Sequence, residues 1–500
     1  GLDVLGLRGL DQSIERRFVA GITTISFRAR FITLVPWVLW RVYEQQLKGK
    51  DEEARLDIDR LAAAFTRLEI VVLCASHFGK QWGEDGNTYG VPGSTVYEQI
   101  IKDIEKSGKA TMPTEGSGGI YGTYAMPCRS FGILAAPPAG AGIPASITPE
   151  RGKKICEIRE KHGGQGQLAK VILEGGKLTL DALKAEGRFY SANGLSACEE
   201  EQSALRESIL APSAEDEATG RLFRGSVRWA IGHLLKAPIT SEDILADNYQ
   251  RTIPQASPTE TQIGWMEYEL RRRGHFALEL FLCAATRTLG DIVQGTPSDI
   301  INQWKESKDV PKFLQTVLPF KKAPFDQKLS AVIKAVPADA FLGAPVLAHQ
   351  ASGLSACPQA LYAFALLSAC RKQSAPLRAK GLLPDRKHYL ERAFSILDSC
   401  GDESLGDVML RLLQECVLEP HLTTTLRKIA QGQKCSLRFY PEGSLLHPTG
   451  SQVSPGYSGD RLHNALGFLS DVGYSKRESS RKYSILPLGR TLHAELEASV

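Results

Sequence analysis

No two cysteines in this sequence form a CxxC pair, and no cysteine and histidine stand at the spacing of a zinc site. Ten cysteines are instead scattered singly along 500 residues, which argues against a metal centre and for reduced thiols in a cytoplasmic protein. A membrane-length apolar run is also missing. The longest such run, Phe31 to Trp40, is interrupted by Thr33 and Pro36 and is about half of a membrane span. The first residues, Gly1 to Gln12, lack the charged and apolar regions of a signal peptide. A large excess of one charge is missing as well: the formal net charge is +4, so any surface for nucleic acid has to be a local patch. No repeat of fixed period is evident, which removes a solenoid.

What is present is ample apolar content, 43% of residues, enough for several domains that each bury a core. The most informative stretch is Tyr457 to His493. Ser458 or Asp460 can cap a helix whose Leu462, Leu466 and Leu469 recur at i, i+4 and i+7, and Gly473 stops it. Two short strand-like runs follow, around Tyr474 and from Tyr483 to Leu486, joined by the polar tip Lys476 to Lys482. A last helix begins near Pro487.

Helix, basic hairpin, helix resembles the order of a winged helix, and Ser484-Ile485-Leu486-Pro487-Leu488-Gly489-Arg490 resembles the strand-to-helix turn that closes many bacterial winged-helix DNA-binding domains. The resemblance implies a recognition helix from Asp460 to Asp471, with Arg461, His463 and Asn464 on exposed N-terminal turns. There, Arg pairs with guanine or phosphate and Asn with adenine. It also implies that the hairpin is the wing. Lys476, Arg477, Arg481 and Lys482 against the single Glu478 leave four positive charges and one negative, a local +3 suited to a phosphate backbone. Winged helices also serve as protein docking modules, and basic hairpins are often merely solvated.

An echo of this pattern occurs earlier. Tyr121 to Gly132, followed by Ser146-Ile147-Thr148-Pro149-Glu150-Arg151-Gly152, runs parallel to the C-terminal motif and predicts a second winged-helix-like unit. Its intervening segment, Ala135 to Gly142, carries no charge and suits packing better than DNA contact.

The chain in order gives three expected domains: a helical domain over 1–162 ending in the winged-helix-like unit, a helical bundle over 163–400, and a C-terminal winged-helix domain over 401–500. In the first, Phe31 to Trp40 is too apolar on all sides for a surface helix, and a helix is expected from Glu52 to about Cys74. The flanking Arg28 and Arg30 could meet phosphate or nearby carboxylates. The loop Ser76 to Gly90 collects His77, Lys80, Glu84 and Asp85, which could supply an acid, a base or part of a metal site. It matches no phosphate-binding pattern, and Gly, Asn and Asp dominate ordinary turns equally.

Representative helices of the middle are Glu199 to Leu210, Ala218 to Leu235, Thr259 to Leu289, Pro297 to Lys308, Pro358 to Cys370 and Asp385 to Leu397. Within them Arg228 and His233 share the spacing seen in HEPN ribonucleases, with Trp229 departing from that pattern. Arg271-Arg272-Arg273 with His275 forms a basic cluster that could hold nucleic acid or pair with Glu267, Glu269 or Glu279. The helices from Leu405 and His421 are expected to support the recognition helix.

The fold class expected is thus mainly α and multidomain, an irregular helical bundle with winged-helix-like units at the end of the N-terminal domain and at the C-terminus. The Arg28 to Trp37 stretch and the Asn87 to Ser94 loop are similar to multidomain proteins of bacterial antiviral defence loci. The implied function is a cytoplasmic protein that binds double-stranded DNA as a positioning or sensing component, with a protein partner and with no cofactor, metal or membrane. A nuclease or base-excising glycosylase acting on DNA or RNA is the enzyme alternative, with His77, Lys80, Glu84 and Asp85 as its catalytic candidates. A protein-interaction scaffold is the third.

Overall fold

The computed structural model describes residues 3–47, 57–137, 139–140, 142–210, 217–307, 310–342, 348–384, 386–478 and 481–500. Among these the chain is mainly α-helical, with four two-stranded antiparallel pairs. It divides at 15/16, 241/242 and 459/460 into two compact units, each made of two separated segments. Unit 1 comprises residues 1–15 and 242–459; unit 2 comprises 16–241 and 460–500. The helices from Leu405 and Glu419 belong to unit 1, whereas the recognition helix they were expected to support belongs to unit 2.

Unit 1 is organised on the helix Glu260–Ile292, which packs along Ala356–Ala379. Thr259 starts it with a reciprocal cap: its hydroxyl accepts from the Gln262 N–H, and the Gln262 side chain accepts from the Thr259 N–H. Past that cap the helix is buried on nearly every face, so its polar residues must pair internally. Glu269 therefore lies against Arg272 at 2.7 Å and Arg273 at 2.8 Å, with the Tyr457 hydroxyl donating at 2.5 Å. Burial alone would raise its carboxyl. The two guanidiniums outweigh burial and hold it down at about 2. Arg271 pairs with Glu391 at 2.6 Å, and His275 Nδ1 meets Asp11 at 2.7 Å. Burial pushes His275 down to about 3, so it is neutral near pH 7. The basic run is a set of interior ion pairs rather than a surface for nucleic acid. The long connection before residue 456 carries a hairpin, Phe439–Glu442 against Leu445–Pro448.

Unit 2 packs the helices Phe31–Leu47, Ile58–His77, Gly119–Ser130 and Arg151–Lys161 together, with Glu199–Leu210 against two of them. The expected start at Glu52 lies outside the described residues; Asp57 caps the described helix by accepting from the Arg60 N–H. The stretch Ile58–Trp82 is long and apolar enough to cross a membrane by length and composition. Here Leu61, Phe65, Leu68 and Val72 of that stretch are core residues. Phe31 to Leu39 are likewise buried, as an all-round apolar run requires.

Arg30 sits at the head of this core with no exposure, and Arg159 joins it. Both point at Glu201, at 2.9 and 3.1 Å, and the Thr33 hydroxyl donates to the same carboxylate at 2.6 Å. As with Glu269, burial would raise the Glu201 carboxyl, but Arg159 and Arg30 hold it at about 2. Glu201→Gln leaves two buried guanidiniums without a counter-charge and is expected to destabilise unit 2 by about 3–5 kcal/mol, while Glu200→Gln, on an exposed carboxylate, leaves it unchanged. Urea denaturation of the two variants measures the difference. Because the folded pKa of Glu201 lies below its ordinary value, its contribution is complete above about pH 4.5 and is lost as pH falls towards 2. The urea midpoint of the wild type should drop through that window, and that of Glu201→Gln should drop less.

Candidate nucleic-acid interface

The C-terminal hairpin is built as its sequence order suggests. The Asp460 carboxylate accepts from the His463 N–H at 2.7 Å and starts the helix Leu462–Asp471. Gly473, at φ +91°, ends it where a side chain would be strained. The chain then forms Ser475–Arg477 and Tyr483–Ile485, paired with Lys476 opposite Ser484, and closes with the helix Pro487–Ala498. Ile239 lies on the other edge of the second strand, exchanging both backbone hydrogen bonds with Tyr483 at 3.0 and 3.1 Å. The preceding helix Glu217–Leu234 packs on the closing helix. The helix that supports the hairpin thus comes from far upstream in the sequence.

The earlier echo repeats the backbone turn of the C-terminal motif. After Gly119–Ser130, Gly132 turns the chain at φ +70° as Gly473 does. The Ile133 N–H donates to Cys128 O at 2.9 Å, as the Tyr474 N–H donates to Leu469 O at 2.9 Å. Thr148 N–H donates to Ile133 O at 3.1 Å, as Leu486 N–H donates to Tyr474 O at 3.1 Å. Leu134 pairs with Ile147 as Ser475 pairs with Ile485. Gly152 and Gly489 open the closing helices so near the preceding turn that a Cβ would lie 2.3 Å from Ile133 O and 2.2 Å from Tyr474 O.

The side chains expected to read bases are elsewhere. Arg461, His463 and Asn464 are only 6%, 2% and 2% exposed. Arg461 donates to Ile22 O at 3.0 Å, Asn464 donates to Ser26 O at 3.0 Å, and His463 Nε2 is hydrogen-bonded to the Tyr89 hydroxyl at 2.6 Å. Burial keeps His463 below its ordinary pKa, against the pull of Asp460. The exposed turns expected for this helix are covered because the segment 22–28 and the loop at Tyr89 pack over its N-terminal half, forming the T-shaped contact of Phe27 with His463.

The hairpin cations are placed differently. Lys476, Arg481 and Lys482 are exposed, and Arg477 is half-buried with its guanidinium 3.5 Å from the centre of the Tyr89 ring. Glu478, the one carboxylate, accepts from the Ser484 hydroxyl at 2.8 Å rather than from a lysine. Arg481 takes φ +63°, and the Glu478 N–H donates to Lys482 O to close the tip. Ser479 and Ser480 of that tip lie outside the described residues.

The loop that collects acids and bases does not bring them to one point. His77 Nε2 faces Glu105 at 3.2 Å, Glu84 accepts from Ser191 at 2.5 Å, Asp85 caps the Asn87 N–H at 2.8 Å, and Lys80 is exposed with its stem against Gly86. His233 stacks edge-on with Trp229, and Arg228 faces Glu497 at 3.8 Å. Among the described residues no group of three or more His, Cys, Asp or Glu side chains could hold a metal ion.

Arg28 meets a carboxylate, one of the two partners its position allowed, but sequence reasoning missed which one and the group it joins to brace the hairpin. Arg28 makes two hydrogen bonds to Asp471, at 3.1 and 3.2 Å, and also donates to Tyr89 O, Ala192 O and Asn193 Oδ1. The partners span almost the whole chain, so spacing gave no signal. Gly90 fits closely against this group: at φ +69°, a Cβ there would lie 2.5 Å from Phe27. Gly489→Ala and Gly152→Ala each force a methyl against a backbone carbonyl and are expected to cost unit 2 about 1–3 kcal/mol, read as a lowered thermal midpoint, whereas Gly122→Ala, in the same unit with open space around its Cβ position, should not lower it. No protein-family model, curated protein or solved structure matches this chain.

Proposed function

We propose that this chain binds double-stranded DNA through the backbone, with the hairpin Ser475–Ile485 lying against phosphates. The observation that carries the reading is the set of exposed cations Lys476, Arg481 and Lys482 on one hairpin whose only carboxylate is engaged by Ser484. Such a patch gains affinity by releasing counterions and is blind to sequence. The burial of Arg461, His463 and Asn464 favours this form over base-edge readout. A binding role also accords with the scattered placement of His77, Lys80, Glu84 and Asp85, which leaves that loop without an assembled acid and base. The chain then acts as a positioning or sensing component that brings a protein partner to DNA, in the bacterial antiviral setting that the sequence resemblance implies.

The test is the affinity of the full chain for a labelled random duplex across a salt series. Wild-type binding should weaken steeply with salt, and the Lys476→Ala/Arg481→Ala/Lys482→Ala variant should lose up to about three units of the log–log slope, roughly 0.9 per phosphate contact. An unchanged slope in the variant would remove the hairpin from the interface. Recovered DNA carrying nicks or abasic sites would replace the binding role with catalysis.

A further inference from the structure

Beside the foot of the basic hairpin, unit 2 contains a cleft of about 390 Å³ lined by Phe27, Asn87, Tyr89, Asn193, Lys476 and Arg477, among others. Its volume falls within the roughly 300–1,000 Å³ of small-molecule sites and far exceeds a water or two. We propose that this cleft receives one unstacked nucleobase from a nucleic-acid strand held by the hairpin. The proposal rests on the hairpin reading and adds the ligand that the adjoining cleft would take.

Four observations combine. First, a planar surface is there: the Arg477 guanidinium stacks on one face of the Tyr89 ring at 3.5 Å and Tyr89 is 39% exposed, so an entering base stacks on this pair rather than on a bare ring face. Aromatic rings and guanidinium planes are the two protein surfaces on which splayed-out bases stack. Second, that surface is fixed before any ligand arrives. The Tyr89 hydroxyl bonds His463 at 2.6 Å, its carbonyl accepts from Arg28 at 3.0 Å, and Phe27 packs edge-on against its ring at 5.8 Å. Little ordering is left for a ligand to induce.

Third, hydrogen-bonding groups are available to a base edge. The Asn87 side-chain oxygen accepts from the Tyr89 N–H, which leaves its NH₂ as a donor, and the Lys476 ammonium has no carboxylate partner among the described residues. Arg28, Asp471 and Asn193 also line the cleft, and their polar groups bond each other and the backbone. Fourth, Lys476 and Arg477 belong to both the hairpin and the cleft. A strand whose phosphates meet the hairpin therefore carries its bases past the opening.

Extracting a paired base costs stacking and pairing, whereas a bulged or single-stranded base is already free. The cleft accordingly favours duplexes that contain an unpaired nucleotide. The step is binding alone: no bond to the base forms or breaks.

The test uses the full chain and two labelled probes: a fully paired duplex, and the same duplex with one bulged 2-aminopurine. Wild type should bind the bulged probe more tightly by roughly ten-fold or more, the yield of one base stack, and should change the 2-aminopurine emission on binding. Tyr89→Leu should bring the two affinities to within about two-fold of each other while paired-duplex binding persists; Tyr89→Phe, which keeps the ring, should retain the preference. Since Tyr89→Leu could disturb His463, the wild-type emission change stands as a measurement that needs no variant. Equal wild-type affinities with unaltered emission would overturn the cleft and leave the hairpin reading intact. Failure to bind either probe at low salt would overturn both.

Discussion

Asp471 is the residue on which unit 2 depends. It stands at the C-terminal end of its helix, where a negative charge opposes the helix dipole. The Arg28 guanidinium offsets that penalty with two hydrogen bonds, and the Ala29 N–H adds a third at 2.8 Å. The Asp471 carbonyl in turn accepts from the Gln202 side chain at 3.1 Å. One residue thereby joins the start of an apolar helix, the helix Glu199–Leu210 and the base of the hairpin. Arg28 carries the connection further, to the carbonyls of Tyr89 and Ala192. The hairpin's cations are useful as a patch because this network sets where the hairpin stands.

The same device recurs in both units: one buried carboxylate held between two arginines, Glu201 with Arg30 and Arg159, and Glu269 with Arg272 and Arg273. Such groups contribute little net energy compared with apolar replacements, yet they tolerate no loss of a single partner. They also explain how a chain with 60 Lys and Arg residues against 56 Asp and Glu residues can own a local positive surface. Interior pairing withdraws Arg271, Arg272 and Arg273, which stand out most in the sequence, while Lys476, Arg481 and Lys482 of the hairpin stay exposed.

How much of this was legible depended on range. Local signals were read well: Glu199–Leu210 forms as its pattern predicts, Thr259 caps the long helix, and the two glycine-stopped helices with their hairpins follow in the order expected. The pairing of Arg271–Arg273 with acidic neighbours was one of two readings open, because i,i+3 and i,i+4 carboxylates are visible in sequence. What failed was inference about faces. Leucines at Leu462, Leu466 and Leu469 define one buried stripe but say nothing of a second, and only the packing of Phe27 and Tyr89 shows that Arg461, His463 and Asn464 are covered too. Contacts between distant residues, such as Arg28 with Asp471 or Asp11 with His275, carry no local periodicity at all.

The division of the chain into interleaved segments has a consequence for the order in which it can fold during synthesis. Unit 1 has all of its residues once Gly459 has been made, but unit 2 at that moment still lacks its last segment. Until then Arg28 has no Asp471, Ile239 has no strand to pair with, and the core face of Gly119–Ser130 lacks the ring of Phe468, which stacks on Tyr124 at 6.5 Å. The first half of the chain emerges early and closes late, so a nascent chain exposes the apolar helices of unit 2 longest. A ribosome that stalls within unit 1 leaves behind an open unit 2.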